Sequence, residues 1–245
     1  MPIHDWTRVP DGTFHHFHVT WIPMLARALN SGLLPAGYYA MAEQVAGGII
    51  PDVLTLQAID DSDDAPGRDG EGGTAVAVQP PKVSITSRLE QSMYARKANH
   101  LVIRHQSSDR VVAILEVVSA GNKANRRDFG DFMTKTVDAI HHGIHVLLID
   151  LHPPTSRDPQ GIHGAIWTEL GDDTYVAPSG KPLTLVSYVG KPELTCYVEP
   201  TAVGNALQPM PLFLTPRRYV SVPLEESYMR AFAEIPDRAR MPLER

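Results

Sequence analysis

The chain has 245 residues, 43% of them hydrophobic and 20% charged, with a net charge of -6. That is enough to bury one sizeable core, while the acidic balance argues against holding nucleic acid by general attraction and leaves only a local basic patch open. The single cysteine, Cys196, excludes an intramolecular disulfide and points to a reducing compartment.

Residues 1–13 are short and polar and read as an extended arm, without the basic start and apolar run of a signal peptide. No apolar stretch approaches the roughly 20 residues needed to cross a bilayer, so a cytoplasmic protein with no membrane partner is expected. Phe14, Phe17, Trp21, Leu25 and Leu29 mark one face of a helix. Pro23 interrupts it, so the helix either bends there or begins near Ile22, and Asn30-Ser31-Gly32 ends it. Tyr38 to Ala46 fits a helix or a strand. Ile49 to Leu56 reads as a strand, with Pro51 suited to a strand start or an edge.

Residues 60–73 are acidic and glycine-rich and read as a surface loop. They lack the twelfth-position glutamate and the flanking helices of a calcium-binding EF-hand. After a possible strand near Ala75 to Val78, Ala98 to Arg104 reads as a strand, and Gln106 to Asp109 as a turn. Val111 to Val118 follows as a strand apolar on both faces. A polar loop, Ser119 to Asn122, leads to a helix from about Asn125 to His142, with Phe129, Phe132, Met133, Val137 and Ile140 on one face. Gly143 suits a left-handed helix cap, and Ile144 to Leu151 is a second apolar strand. Strand, helix and strand of this length imply a parallel pair. The proline-rich segment 152–245 carries strand-like runs at Leu183 to Val189, Leu194 to Val198 and Pro211 to Leu214. A last helix opens near Val222 and runs to about Ala233. The whole reads as one α/β domain, a mixed sheet flanked by helices with C-terminal strand and helix additions.

Glu116 sits inside the first apolar strand of that pair. A carboxylate there must be hydrogen-bonded, paired, protonated or metal-bound, because burying it alone is costly. It lies near the carboxyl end of a strand, where open α/β sheets place their sites; a purely structural ion pair is the other reading. Asp52 follows Pro51 at a strand start. Two carboxylates from neighbouring strands would suit Mg²⁺, although Pro-Asp is also a common turn dipeptide.

Pro51-Asp52-Val53, Glu116-Val117-Val118-Ser119, a helix ending at Gly143 and a strand closing on Asp150 resemble the PD-(D/E)XK nuclease superfamily. Within it they are similar to the Uma-two endonuclease family, and closer still to a related uncharacterised bacterial domain family. In the latter, the match extends to Asn122-Lys123 and to the strand and helix over Tyr219 to Phe232. The resemblance covers most of the chain and implies a restriction-endonuclease-like core. It also implies Mg²⁺-dependent hydrolysis of DNA phosphodiesters, with Asp52, Glu116 and the Val117 carbonyl as metal ligands. The superfamily's lysine normally stands two residues after the acidic one, where this chain has Val118. Lys123 or Lys135 could replace it, and Glu43 occupies the place of an upstream acidic residue. Lys135 also reads as a solvated surface partner of Asp131, four residues earlier, and Glu43 as an ordinary surface glutamate. The competing function is a non-catalytic member of the fold serving a structural or partner-binding role.

His15 and His18 would share a helix face, so a Zn²⁺ site is a rival, though no His-Glu-x-x-His or cysteine pair supports it. His141 and His142 suit the capping of helix carbonyls. No phosphate-binding glycine motif is present, Ser119 lacks a Gly-flanked elbow, and Cys196 reads as a small buried hydrophobe.

Overall fold

The computed structural model describes residues 3–43, 85–89 and 100–244. Asp52, the strand expected over 49–56, the possible strand near 75–78 and the acidic loop 60–73 lie outside the described residues. The described strands are β1 (Tyr38–Glu43), β2 (Ile85–Leu89), β3 (His100–His105), β4 (Arg110–Val118), β5 (His145–Asp150), β6 (Leu183–Val189), β7 (Leu194–Thr201), β8 (Met210–Thr215) and β9 (Arg218–Val222). The helices are α1 (Asp11–Ala28), α2 (Ala120–Lys123), α3 (Arg126–His141), α4 (Gly161–Glu169), α5 (Leu224–Ala233) and α6 (Asp237–Arg240).

Seven strands form one mixed sheet in the order β1-β3-β4-β5-β6-β7-β2, and β8 and β9 form a separate hairpin. β4 and β5 run parallel, with Glu116 beside Leu148 and Val118 beside Asp150; the other described pairings are antiparallel. The mixed sheet with flanking helices is the architecture expected above, and β6 and β7 extend that same sheet.

Side-chain alternation builds a layer on each face. Leu115 and Val117 of β4, with Leu147 and Ile149 of β5, join a cluster with α1, α5, β8 and β9. Ile114, Val118, Val146 and Leu148 join the opposite cluster, under α3 and α4. Glu116 and Asp150 therefore point to the α3 side, one strand apart and two residues offset.

The N-terminal segment is not the extended polar arm expected. Ile3, His4, Trp6 and Val9 are buried, and a 3-10 turn at Trp6–Arg8 is capped by the Asp5 side chain. The Ile3 amide donates to the Asn205 carbonyl at 2.7 Å, and His4 stacks on Phe232 with ring centroids 3.6 Å apart. Apolar residues at only every second or third position hid this docking from a periodicity search.

α1 begins at Asp11 and continues through Pro23. Pro23 and Val19 are both exposed, so the carbonyl left without its helical donor faces water. β1 makes residues 38–43 of the ambiguous 38–46 region a strand, the remainder lying outside the described residues, and the polar loop after β4 folds into the short helix α2 behind a Ser119–Asn122 capping box.

Gly143 ends α3 at φ 77°, as expected of a left-handed cap, and Gly190 packs directly upon it. A Cβ on Gly190 would lie 2.7 Å from the Ile140 carbonyl oxygen and 2.8 Å from the Gly143 Cα. Gly190→Ala is expected to cost about 1–3 kcal/mol by overpacking, read as a lower urea midpoint; an unchanged midpoint would refute the contact. No helix among the described residues is long and apolar enough to cross a membrane.

Candidate functional site

Two buried lysine–carboxylate clusters lie on the α3 side of the parallel pair. In the first, Lys135 of α3 donates to Glu116 Oε2, and both side chains are nearly sealed, at 3% and 4% exposure. Burial pushes the Glu116 carboxyl up and the Lys135 ammonium down, and each partner's charge opposes the shift of the other.

The solvated reading of Lys135 is therefore overturned. Asp131 instead faces the exposed Arg127, at 3.9 Å. A sequence signal existed: Lys135 stands three residues after Phe132 and four before Ala139, on the same buried stripe. The i, i+4 charge pair with Asp131 masked it.

The second cluster gathers Lys123 with residues that the sequence had not singled out as a site. Lys123 Nζ lies 2.6 Å from Asp150 Oδ2, 2.8 Å from Asp158 Oδ2 and 3.2 Å from the His152 carbonyl. Asp150 Oδ1 accepts from the His152 amide at 3.1 Å. Asp158 Oδ1 accepts from the Thr155 amide and hydroxyl. Burial raises the Asp150 carboxyl to about 6, against the pull of Lys123. Asp150 had much the same signature as Glu116, an acid among the apolar residues of a strand, whereas Asp158 sits in an irregular segment where spacing carries no signal.

On the opposite face, His18 of α1 reaches the edge of β4. Its Nε2 lies 3.1 Å from the Val117 carbonyl and donates to it, since a carbonyl only accepts. His15 and His16 are exposed. His142 Nδ1 lies 2.8 Å from the Asp138 carbonyl, a helix-end cap of the kind expected. Cys196 is buried in the α3-side cluster. Ser119 is held as a helix cap, its hydroxyl 2.8 Å from Asn122 Oδ1.

The expected site residues are thus only partly gathered. Glu116 and Lys135 meet on the α3 face of β4, the Val117 carbonyl is met by His18 from the opposite face, and Lys123 is enclosed one strand away. Glu43 ends β1 opposite His100, two strands from β4. Asp52 lies outside the described residues. The Glu116 carboxylate and Val117 carbonyl are hard oxygens whose chemistry fits Mg²⁺. Among the described residues no group of three His, Cys, Asp or Glu could hold a metal ion. The first turns of α3 mix Arg126 and Arg127 with Asp128 and Asp131, so this part of the edge is not a purely basic surface.

No family model, no curated protein and no solved structure matches the chain.

Proposed function

We propose that the chain is a Mg²⁺-dependent phosphodiester hydrolase of the nuclease type, acting on DNA in the cytoplasm. The observation that carries this reading is the Glu116–Lys135 pair, an acid on the first parallel strand met by an amine from the crossover helix. It supplies the lysine missing at Val118. Asp52, Glu116 and the Val117 carbonyl would hold the metal. Once bound, Mg²⁺ polarises the phosphate and lowers the pKa of a coordinated water.

Lys135 orients the attacking water and Glu116 keeps the ammonium in place. Glu43 serves as an accessory carboxylate from β1. Lys123, already enclosed by two carboxylates and a carbonyl, has no such role.

A second reading is a non-catalytic protein that keeps this fold for structure or partner binding, and the near-complete burial of Glu116 and Lys135 favours it. The test titrates Mg²⁺ and Mn²⁺ into the wild type, Asp52→Asn and Glu116→Gln, following thermal stability and plasmid DNA cleavage. The enzyme reading expects a metal-dependent rise in Tm and cleavage in the wild type, both weakened in each variant. No shift and no cleavage would leave the non-catalytic reading.

A further inference from the structure

The Lys123 cluster ties together the two segments that leave the carboxyl ends of β4 and β5. From the β4 side, α2 sends the Lys123 ammonium into a ring of oxygens: Asp150 Oδ2 at 2.6 Å, Asp158 Oδ2 at 2.8 Å, and the carbonyls of His152 at 3.2 Å and Pro153 at 3.5 Å. From the β5 side, Arg157 reaches back and donates to the Lys123 carbonyl at 2.9 Å. Each segment thus holds the other by a cation. Asp158 adds its charge to the burial that raises Asp150, and the shared Lys123 ammonium offsets it, while each acid turns its second oxygen to an amide of the β5 segment, that of His152 or Thr155. Two carboxylates and two carbonyls around one positive centre are the donor types of a hard-cation site.

We propose that Asp150, Asp158 and the His152 and Pro153 carbonyls form a cation site that the chain fills with its own Lys123 ammonium, latching the two segments at the carboxyl edge of the parallel pair. Because the cation is tethered, the order of this edge does not depend on dissolved metal. This latch stands apart from the nuclease reading, and it holds whether or not Glu116 binds Mg²⁺.

The test is chemical rescue. Lys123→Ala removes three methylenes and the ammonium, which is propylammonium in outline. Hydrogen exchange of the variant is compared with wild type, alone and with propylammonium, propanol or tetramethylammonium. The latch expects amides within 119–125 and 151–160 to exchange about tenfold faster or more, while α1 and α5 keep their protection. Propylammonium alone should restore the rate, since propanol lacks the charge and tetramethylammonium lacks N–H donors. In the wild type, a chelator should leave these amides unchanged.

Equal exchange in variant and wild type, failure of propylammonium to rescue, or equal rescue by all three additives would overturn the proposal. If Lys123→Ala does not fold, Asp158→Asn serves instead. It keeps the Asp150 contact and should loosen the same two segments, and unchanged exchange there would be equally fatal to the latch.

Discussion

Lys135→Ala is expected to lose about 3–5 kcal/mol of folding stability, because it strands the Glu116 carboxylate in a dry layer. Glu116 has no ion-pair partner besides Lys135 among the described residues, and Ile114, Val118 and Leu148 surround it with hydrocarbon. The loss comes mainly from the exposed need for solvation, not from the pair's own net worth. Removing both charges should therefore recover most of it: Glu116→Gln with Lys135→Met is expected within about 1–2 kcal/mol of wild type. Urea unfolding of the two single variants and the double gives the coupling directly. A Lys135→Ala protein within about 0.5 kcal/mol of wild type would return Lys135 to the solvated surface, where such pairs contribute little.

Acid should unfold the protein in a window set by its buried histidines. Burial lowers His4, His145 and His152 to about 4 and His163 to about 3. The unfolded chain binds these protons near pH 6.5, whereas the folded chain refuses them until about pH 4. Stability is therefore fully present above pH 6.5, falls between 6.5 and 4, and loses about 2 kcal/mol per histidine by pH 5. Asp150 works the other way: its raised value makes the folded state the stronger proton binder between about 6 and 3.8, softening the slope. Four histidines outweigh one aspartate, so stability falls on balance as the pH drops through this window, most of it from the deeply buried His145 and His163. Urea midpoints between pH 7 and 4 check this. A flat profile from 7 to 5 would refute it, and His163→Gln should flatten the slope by about one proton's share.

How much of this was legible beforehand depended on whether a segment obeys one period. β4, α3 and β5 could be placed within a residue or two because long apolar runs and a glycine cap mark their ends. The burial of Glu116 followed from its neighbours alone. Lys135 was misjudged because a charged residue on an apolar stripe looks, in one dimension, like half of a surface pair. Only the packing of α3 on β4 showed that its stem crosses hydrocarbon to reach Glu116. The Lys123 cluster was invisible for another reason. Its acids lie 27 and 35 residues further along the chain than the lysine, Asp150 at the end of β5 and Asp158 in a loop whose course no periodicity predicts. The N-terminal segment was missed because its partners, Asn205, Tyr228 and Phe232, sit at the far end of the chain.

That last arrangement has a consequence for how the protein emerges from the ribosome. The layer under α3 and α4 draws its cluster from residues 111–198, so its hydrophobic contacts are complete once β7 has been made. The layer over α1 needs residues from Ile3 to Leu243 and must wait for α5. At about 5–20 residues per second, the stretch from Val198 to Ala233 takes a few seconds to synthesise. During that interval Trp6, Phe17 and Trp21 have no Tyr228 to close against, so the aromatic cluster around α1 is among the last parts of this core to be completed.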